Sequence, residues 1–247
     1  MPSPAPFTGF SRISGLSALG FALLIVLANV LMVPAGLPRT GADLGEVNAF
    51  FGTEGHIVGL GSALTPAAWV LATVFGAGAV SVLWRSDRGR GEAWSLVGFA
   101  GLVLQNAAFA GVVATRLALV STAPHDTTAT AGLWALHDAL FTLNGTFLAT
   151  ALTGLSAGGL RAGLIRSWHG ALGLLAAALM FGSAILTPVV IAEEGPLGLL
   201  GLVGWLAWVV WIVTYGITLI RLDPSGSAAP GTAAPGTAAH GTAAHGS

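Results

Sequence analysis

The chain has no cysteine and no lysine, a single tyrosine, and charged side chains at only 8% of its 247 positions. Without cysteine there is no disulfide, no thiol nucleophile and no thiolate metal site. A soluble domain carries about 25% charged residues, so this chain holds roughly a third of the ordinary share, too little to cover a water-exposed surface of this size. A soluble enzyme and a disordered chain are therefore excluded. The net charge of -1 and pI near 6.6 provide no surface for polyanions, so nucleic acid is not an expected partner. What is abundant is apolar: 54% of residues are hydrophobic, the mean hydropathy is +0.83, and the apolar residues come in long runs. The lipid bilayer is the expected solvent.

A spanning helix needs about 20 mostly apolar residues. Six segments meet that length, at roughly 14–36, 57–84, 93–120, 134–156, 168–191 and 196–220. The fold class is thus an all-α integral membrane protein, a six-helix bundle over 13–222. The first run is too long for a signal-peptide core and lacks a small-residue cleavage site, so it counts as a span. Arg12, Arg85, Arg88, Arg90, Arg161, Arg166 and Arg221 fall on one side of this layout, with only Arg39 and Arg116 on or near the other. Such an excess marks the cytoplasmic side, which places both termini inside. The outer side collects Asp43, Glu46, Glu54, Asp126, Glu193 and Glu194.

Three stretches lie outside this bundle. Residues 1–12 form a Pro/Ser-rich cytoplasmic lead. In the outer loop 37–56, Leu44, Val47 and Phe51 recur at helical spacing, which suits a short helix lying on the membrane surface. Residues 223–247 are a Gly/Thr/Ala/Pro/His repeat with no apolar side chain larger than alanine, so a flexible tail is expected. His240 and His245 on that tail do not make a metal site. The 36 glycines are about twice ordinary usage and suit close helix packing; a homodimer seam is compatible with them but not required.

Ionisable groups within a span are costly and concentrate where function resides. Asp138 is the acid lying well inside an apolar run. With His137, Phe141, Thr142, Asn144 and Gly145 it forms one continuous helical face, opposite Leu136, Leu140, Leu143 and Phe147, which are expected to face lipid. On the preceding span Gln105, Phe109, Val112 and Arg116 share a face, and Arg116 lies within about a turn of Asp138 in depth. A direct Arg116–Asp138 pair would let both charges tolerate the membrane. Such a pair reads equally well as a working site or as a clamp between helices. Asn29 and Thr65 lie at comparable depth, and Pro66 and Pro188 are expected to bend their helices and open room. Trp205, Trp208, Trp211 and Tyr215 form an aromatic stripe on the last span, a packing face or a π-walled floor for an apolar or cationic ligand. No haem, quinone, nucleotide or metal motif is present, so no cofactor and no metal site are assigned.

The stretch Gly159–His169, a glycine/arginine loop leading into Trp168, resembles a cytoplasmic turn of small multi-pass bacterial inner-membrane proteins. That resemblance implies a bacterial inner-membrane location and no particular activity. In size and in its buried acid the chain is similar to membrane-embedded terpene cyclases, by analogy and without a matched motif. Three functions follow as expectations. The first is a membrane enzyme in which Asp138 is a general acid on an isoprenoid-type substrate, tuned by His137 and Arg116. Asn29, Thr65, Gln105, Thr142, Asn144, Trp205 and Trp208 would then line its binding pocket. The second is a non-catalytic structural or partner-binding membrane subunit. The third is a small transporter relaying protons through Asp138 and His137, although six spans without a clear inverted repeat are few for one.

Overall fold

In a bilayer every backbone N–H and C=O must be bonded internally, and an apolar run of spanning length satisfies this as helix. The computed structural model describes residues 8–192 and 197–222, and among them there are helices and no strands. The helices are α1 (Thr8–Met32), α2 (Leu44–Thr53), α3 (Gly55–Arg90), α4 (Trp94–Thr122), α5 (Thr127–Arg161), α6 (Ser167–Ile185), α7 (Thr187–Ala192) and α8 (Gly198–Ile220). Six of them, all but α2 and α7, are long and apolar enough to cross a membrane. The protein is a multi-pass, all-helical membrane protein.

The helix ends differ from the apolar runs in an instructive way. With 36 and 35 residues, α3 and α5 are about 54 and 52 Å long at 1.5 Å per residue, well beyond a hydrocarbon core of about 30 Å. Hydropathy marks the part in the hydrocarbon, whereas the hydrogen-bond ladder continues past it. For the same reason α1 already begins at Thr8, inside the stretch read as a lead. The fifth span is not one helix: α6 ends at Ile185 and α7 begins at Thr187, because Pro188 cannot donate to the Ala184 carbonyl. The hydroxyl of Thr187 bonds that carbonyl instead, at 2.6 Å. The repeat expected to form a tail, 223–247, lies outside the described residues, as do 1–7, Glu193 and Glu194.

The spanning helices close a ring in which the neighbours are α1–α3, α3–α4, α4–α5, α5–α6, α6–α8 and α8–α1. Phe21, Phe75, Leu102, Leu152, Leu155, Trp208, Trp211 and Tyr215 fill its interior. The tightest seam is α4–α5. A Cβ built on Gly154 would lie 2.2 Å from Gly98 N, and one on Gly101 would lie 2.4 Å from Ala151 N, so backbone meets backbone there. One end of the ring carries Arg85, Arg88, Arg90, Arg161, Arg166 and Arg221 and is called the arginine-rich end. The opposite end is covered by the 33–43 loop and α2.

That cover corrects the expectation of a helix lying on the membrane surface. Asp43 caps α2 through Gly45 N and Glu46 N, and the helix turns its apolar side down onto the bundle. Val47, Phe50 and Phe51 are buried there against Val58, Leu119 and Trp134. Burying three large apolar side chains in a shared cluster is worth several kcal/mol, so the helix docks on the protein.

Candidate functional site: a buried Arg–His–Asp relay

The register of α4 against α5 brings Gly111 to Leu140 and Arg116 to His137. This places the two charges that the apolar runs contain just beneath the cap. Arg116, His137 and Asp138 are 6%, 3% and 2% exposed. Arg116 and Asp138 do not pair directly, contrary to expectation. Arg116 Nε donates to His137 Nε2 at 3.0 Å, and His137 Nδ1 lies 3.2 Å from Asp138 Oδ1. An arginine can only donate, so His137 Nε2 is the acceptor and the proton of the imidazole sits on Nδ1. His137 is therefore neutral in this arrangement and donates to Asp138. One imidazole spaces a cation from an anion, and the triad carries no net charge.

Asp138 and Arg116 each make one further contact. Asp138 Oδ2 accepts from the backbone N–H of Gly41 at 2.9 Å, 97 positions earlier in the chain. Gly41 has φ +83°, and a Cβ there would lie 2.9 Å from the Ile191 carbonyl oxygen, so glycine alone fits this bend against α7. Arg116 Nη1 reaches Met32 Sδ at 3.9 Å. The His137 ring is stacked between Trp134, at 4.7 Å between centroids, and Phe141, at 5.9 Å. Phe141 also stands 5.9 Å from the Arg116 guanidinium carbon. It is 42% exposed, so it is the outer wall of the relay and not part of an inward face. Of the residues expected to face lipid, Leu136 and Leu143 are exposed, whereas Leu140 is half-buried and packs on Gly111.

The other expected binding residues are not gathered at Asp138. Asn29 Nδ2 donates to the Ile25 carbonyl of its own helix at 2.9 Å. Thr142 Oγ1 donates to the Asp138 main-chain carbonyl, not to its carboxylate, at 2.8 Å. Thr65 Oγ1 donates to the Ser62 carbonyl at 2.7 Å, which is the oxygen that Pro66 leaves without its usual donor. Pro66 lies within α3 without interrupting it. Gln105 and Asn144 are buried, and their amide oxygens have no hydrogen-bond partner among the described residues. Trp208 packs edge-on against Phe21 of α1 at 5.5 Å, beside Trp205, in the main core. The ring neighbours of His137 are Trp134 and Phe141.

Four participants escaped the sequence reading. For Trp134, stacked on His137, the available signal was its spacing of three from that histidine. Gly41 contributes a backbone group, which no residue type announces. Met32 reaches the relay from the last turn of α1, and the cap reaches it through the loop. Chemically, the arrangement leaves neither carboxylate oxygen of Asp138 open, since Oδ1 faces His137 Nδ1 and Oδ2 accepts from Gly41 N–H. No protein-family model, curated protein or solved structure matches the chain.

Proposed function

We propose that this is a non-catalytic, structural or partner-binding subunit of a bacterial inner membrane, and that its buried relay is a clamp that also latches the end cap. One observation carries the reading: both oxygens of Asp138 already accept hydrogen bonds, from His137 and from Gly41. A general acid must present a free carboxyl oxygen to its substrate, and both oxygens here are taken up by protein donors. A clamp needs this bonding pattern, since a buried ion pair holds only where its remaining lone pairs and protons are satisfied. The relay joins α4 to α5 through Arg116 and His137, and joins both to the 33–43 loop through Gly41. Action on an isoprenoid-type substrate would require the cap to lift and Asp138 to exchange Gly41 for a proton. We place the arginine-rich end in the cytoplasm, following the bias of arginine toward that side.

The test is thermal unfolding in detergent of Asp138→Asn, Arg116→Gln and the double variant, with amide exchange over 38–53. Each single change is expected to cost about 3–5 kcal/mol, because it strands a buried charge. The double change should recover much of that loss. Exchange at Gly41 and along α2 should rise in Asp138→Asn. Single variants as stable as the parent, with an unchanged cap, would overturn the clamp and return Asp138 to the acid reading.

A further inference from the structure

We infer that the groove between α3 and α4 binds one anionic phospholipid, its headgroup at Arg85 and one acyl chain lying along α3 toward Trp69. The groove has two shallow, open segments of about 450 Å³ each. The first is lined by Ala77, Val80, Ser81, Trp84, Arg85 and Leu96. The second continues along the same side of both helices, with Val70, Val74, Val103 and Ala107 as walls and Trp69 and Asn106 at its far end. On α3 the lining positions repeat at three and four residues from 69 to 85, which is a single stripe. Phe99, packed on Gly76, lies between the two segments. From Arg85 to Trp69 the stripe covers about 24 Å, more than the roughly 15 Å of hydrocarbon in one leaflet. An acyl chain therefore fits within it together with the carbonyl region above.

Charge decides which lipid. Of the other arginines at this end, two are committed to protein: Arg90 donates to the Arg161 carbonyl, and Arg161 pairs with Glu92 at 3.2 Å and lies over Trp94, while Arg88, Arg166 and Arg221 do not line the groove. Arg85 is exposed, lines the groove and has no hydrogen bond or ion pair among the described residues. Beside it Trp84 is 38% exposed, an indole suited to the headgroup level. A cation, an indole and an apolar trough together fit a phosphate-bearing lipid of net negative charge. A zwitterionic lipid would bring its own cation to Arg85.

The experiment uses the full chain in detergent, read by native mass spectrometry and thermal unfolding. Phosphatidylglycerol, phosphatidylcholine with the same chains, and inorganic phosphate are added separately. Phosphatidylglycerol is expected to be retained at one per chain and to raise the melting temperature above the other two. Arg85→Gln should weaken its binding about fivefold, the share of roughly 1 kcal/mol for one interfacial cation. Arg88→Gln, which does not line the groove, should leave it unchanged. Ala107→Phe, filling the far segment, should abolish retention without lowering stability. Equal retention of both lipids, equal stabilisation by phosphate alone, an unaltered Arg85→Gln, or a second copy of the chain occupying the groove would each overturn the assignment.

Discussion

Helix α4 has two sides that solve the same problem differently. Toward α5 it presents Gly98 and Gly101, and α5 answers with Gly154 and Gly158, so the two backbones touch along the seam. Toward α3 it presents Leu96, Val103 and Ala107, and a groove opens. Lipid is as apolar as leucine, so helices in a membrane gain little from merely burying apolar surface against each other. Small residues that allow dense packing make the difference, and they are concentrated on one side of α4. The charged relay sits on that same side. A pair of buried charges needs partners held at fixed distance, and only the close seam supplies that. The open side has lateral freedom, which suits an exchangeable molecule.

The largest effect should come from breaking the close seam. A side chain at position 154 would meet Gly98 N at 2.2 Å, Gly98 Cα at 2.6 Å and the Trp94 carbonyl oxygen at 2.7 Å, all of them backbone. Backbone cannot turn aside as a rotamer can, so Gly154→Leu must push the helices apart. A loss of about 3 kcal/mol or more is expected, read as thermal unfolding in detergent. Ala107→Phe, on the other side of α4, should stay within about 0.5 kcal/mol of the parent. Similar losses from the two would erase the distinction between the sides.

A smaller effect should come from the hook that ties α4 to α3 at the arginine-rich end. The residue at the N-cap position of α4, Ala93, has no side chain with which to cap. Asp87 of α3 supplies the missing acceptor: it is fully buried, and its Oδ2 takes the Ser95 N–H at 2.8 Å. Asp87→Ala should cost about 1–2 kcal/mol, as the loss of a helix cap does. Asp87→Asn keeps an acceptor oxygen and should retain most of that stability. If asparagine proved as costly as alanine, the charge would matter and the cap would not.

Asp87 also shows what a sequence hides. It stands in the polar stretch Arg85 to Glu92 and reads as a loop residue. Yet Leu83 and Asp87 are four apart and both fully buried, so extending the helical period four residues past the apolar run would have placed it inward. The spanning helices were legible because the membrane leaves a long apolar run little choice but helix. Arg116, His137 and Asp138 stood out because charge is rare in such runs. Their connection did not, since depth and face say nothing about which side chain inserts between two others. Gly41 and the docking of α2 depend on tertiary contacts made by a loop, where neither period nor hydropathy guides the eye.

The smallest effect concerns Thr65, which the sequence assigned to a binding pocket. In α3 the N–H of residue 66 would bond the Ser62 carbonyl, but proline has none. Thr65 Oγ1 sits 2.7 Å from that oxygen, and Thr187 serves Ala184 in the same way ahead of Pro188, at 2.6 Å. Two Thr-Pro steps with one geometry point to repair of the backbone. Thr65→Val should then cost about 1 kcal/mol, since it leaves a buried carbonyl unpaired. In a Pro66→Ala background the N–H of residue 66 returns to Ser62, and the same threonine substitution should cost close to nothing. A residue that bound a ligand would be indifferent to its neighbour, giving equal costs in both backgrounds. Unfolding of the four proteins in detergent closes this cycle, and additivity in it would remove Thr65 from the backbone and restore it to a site.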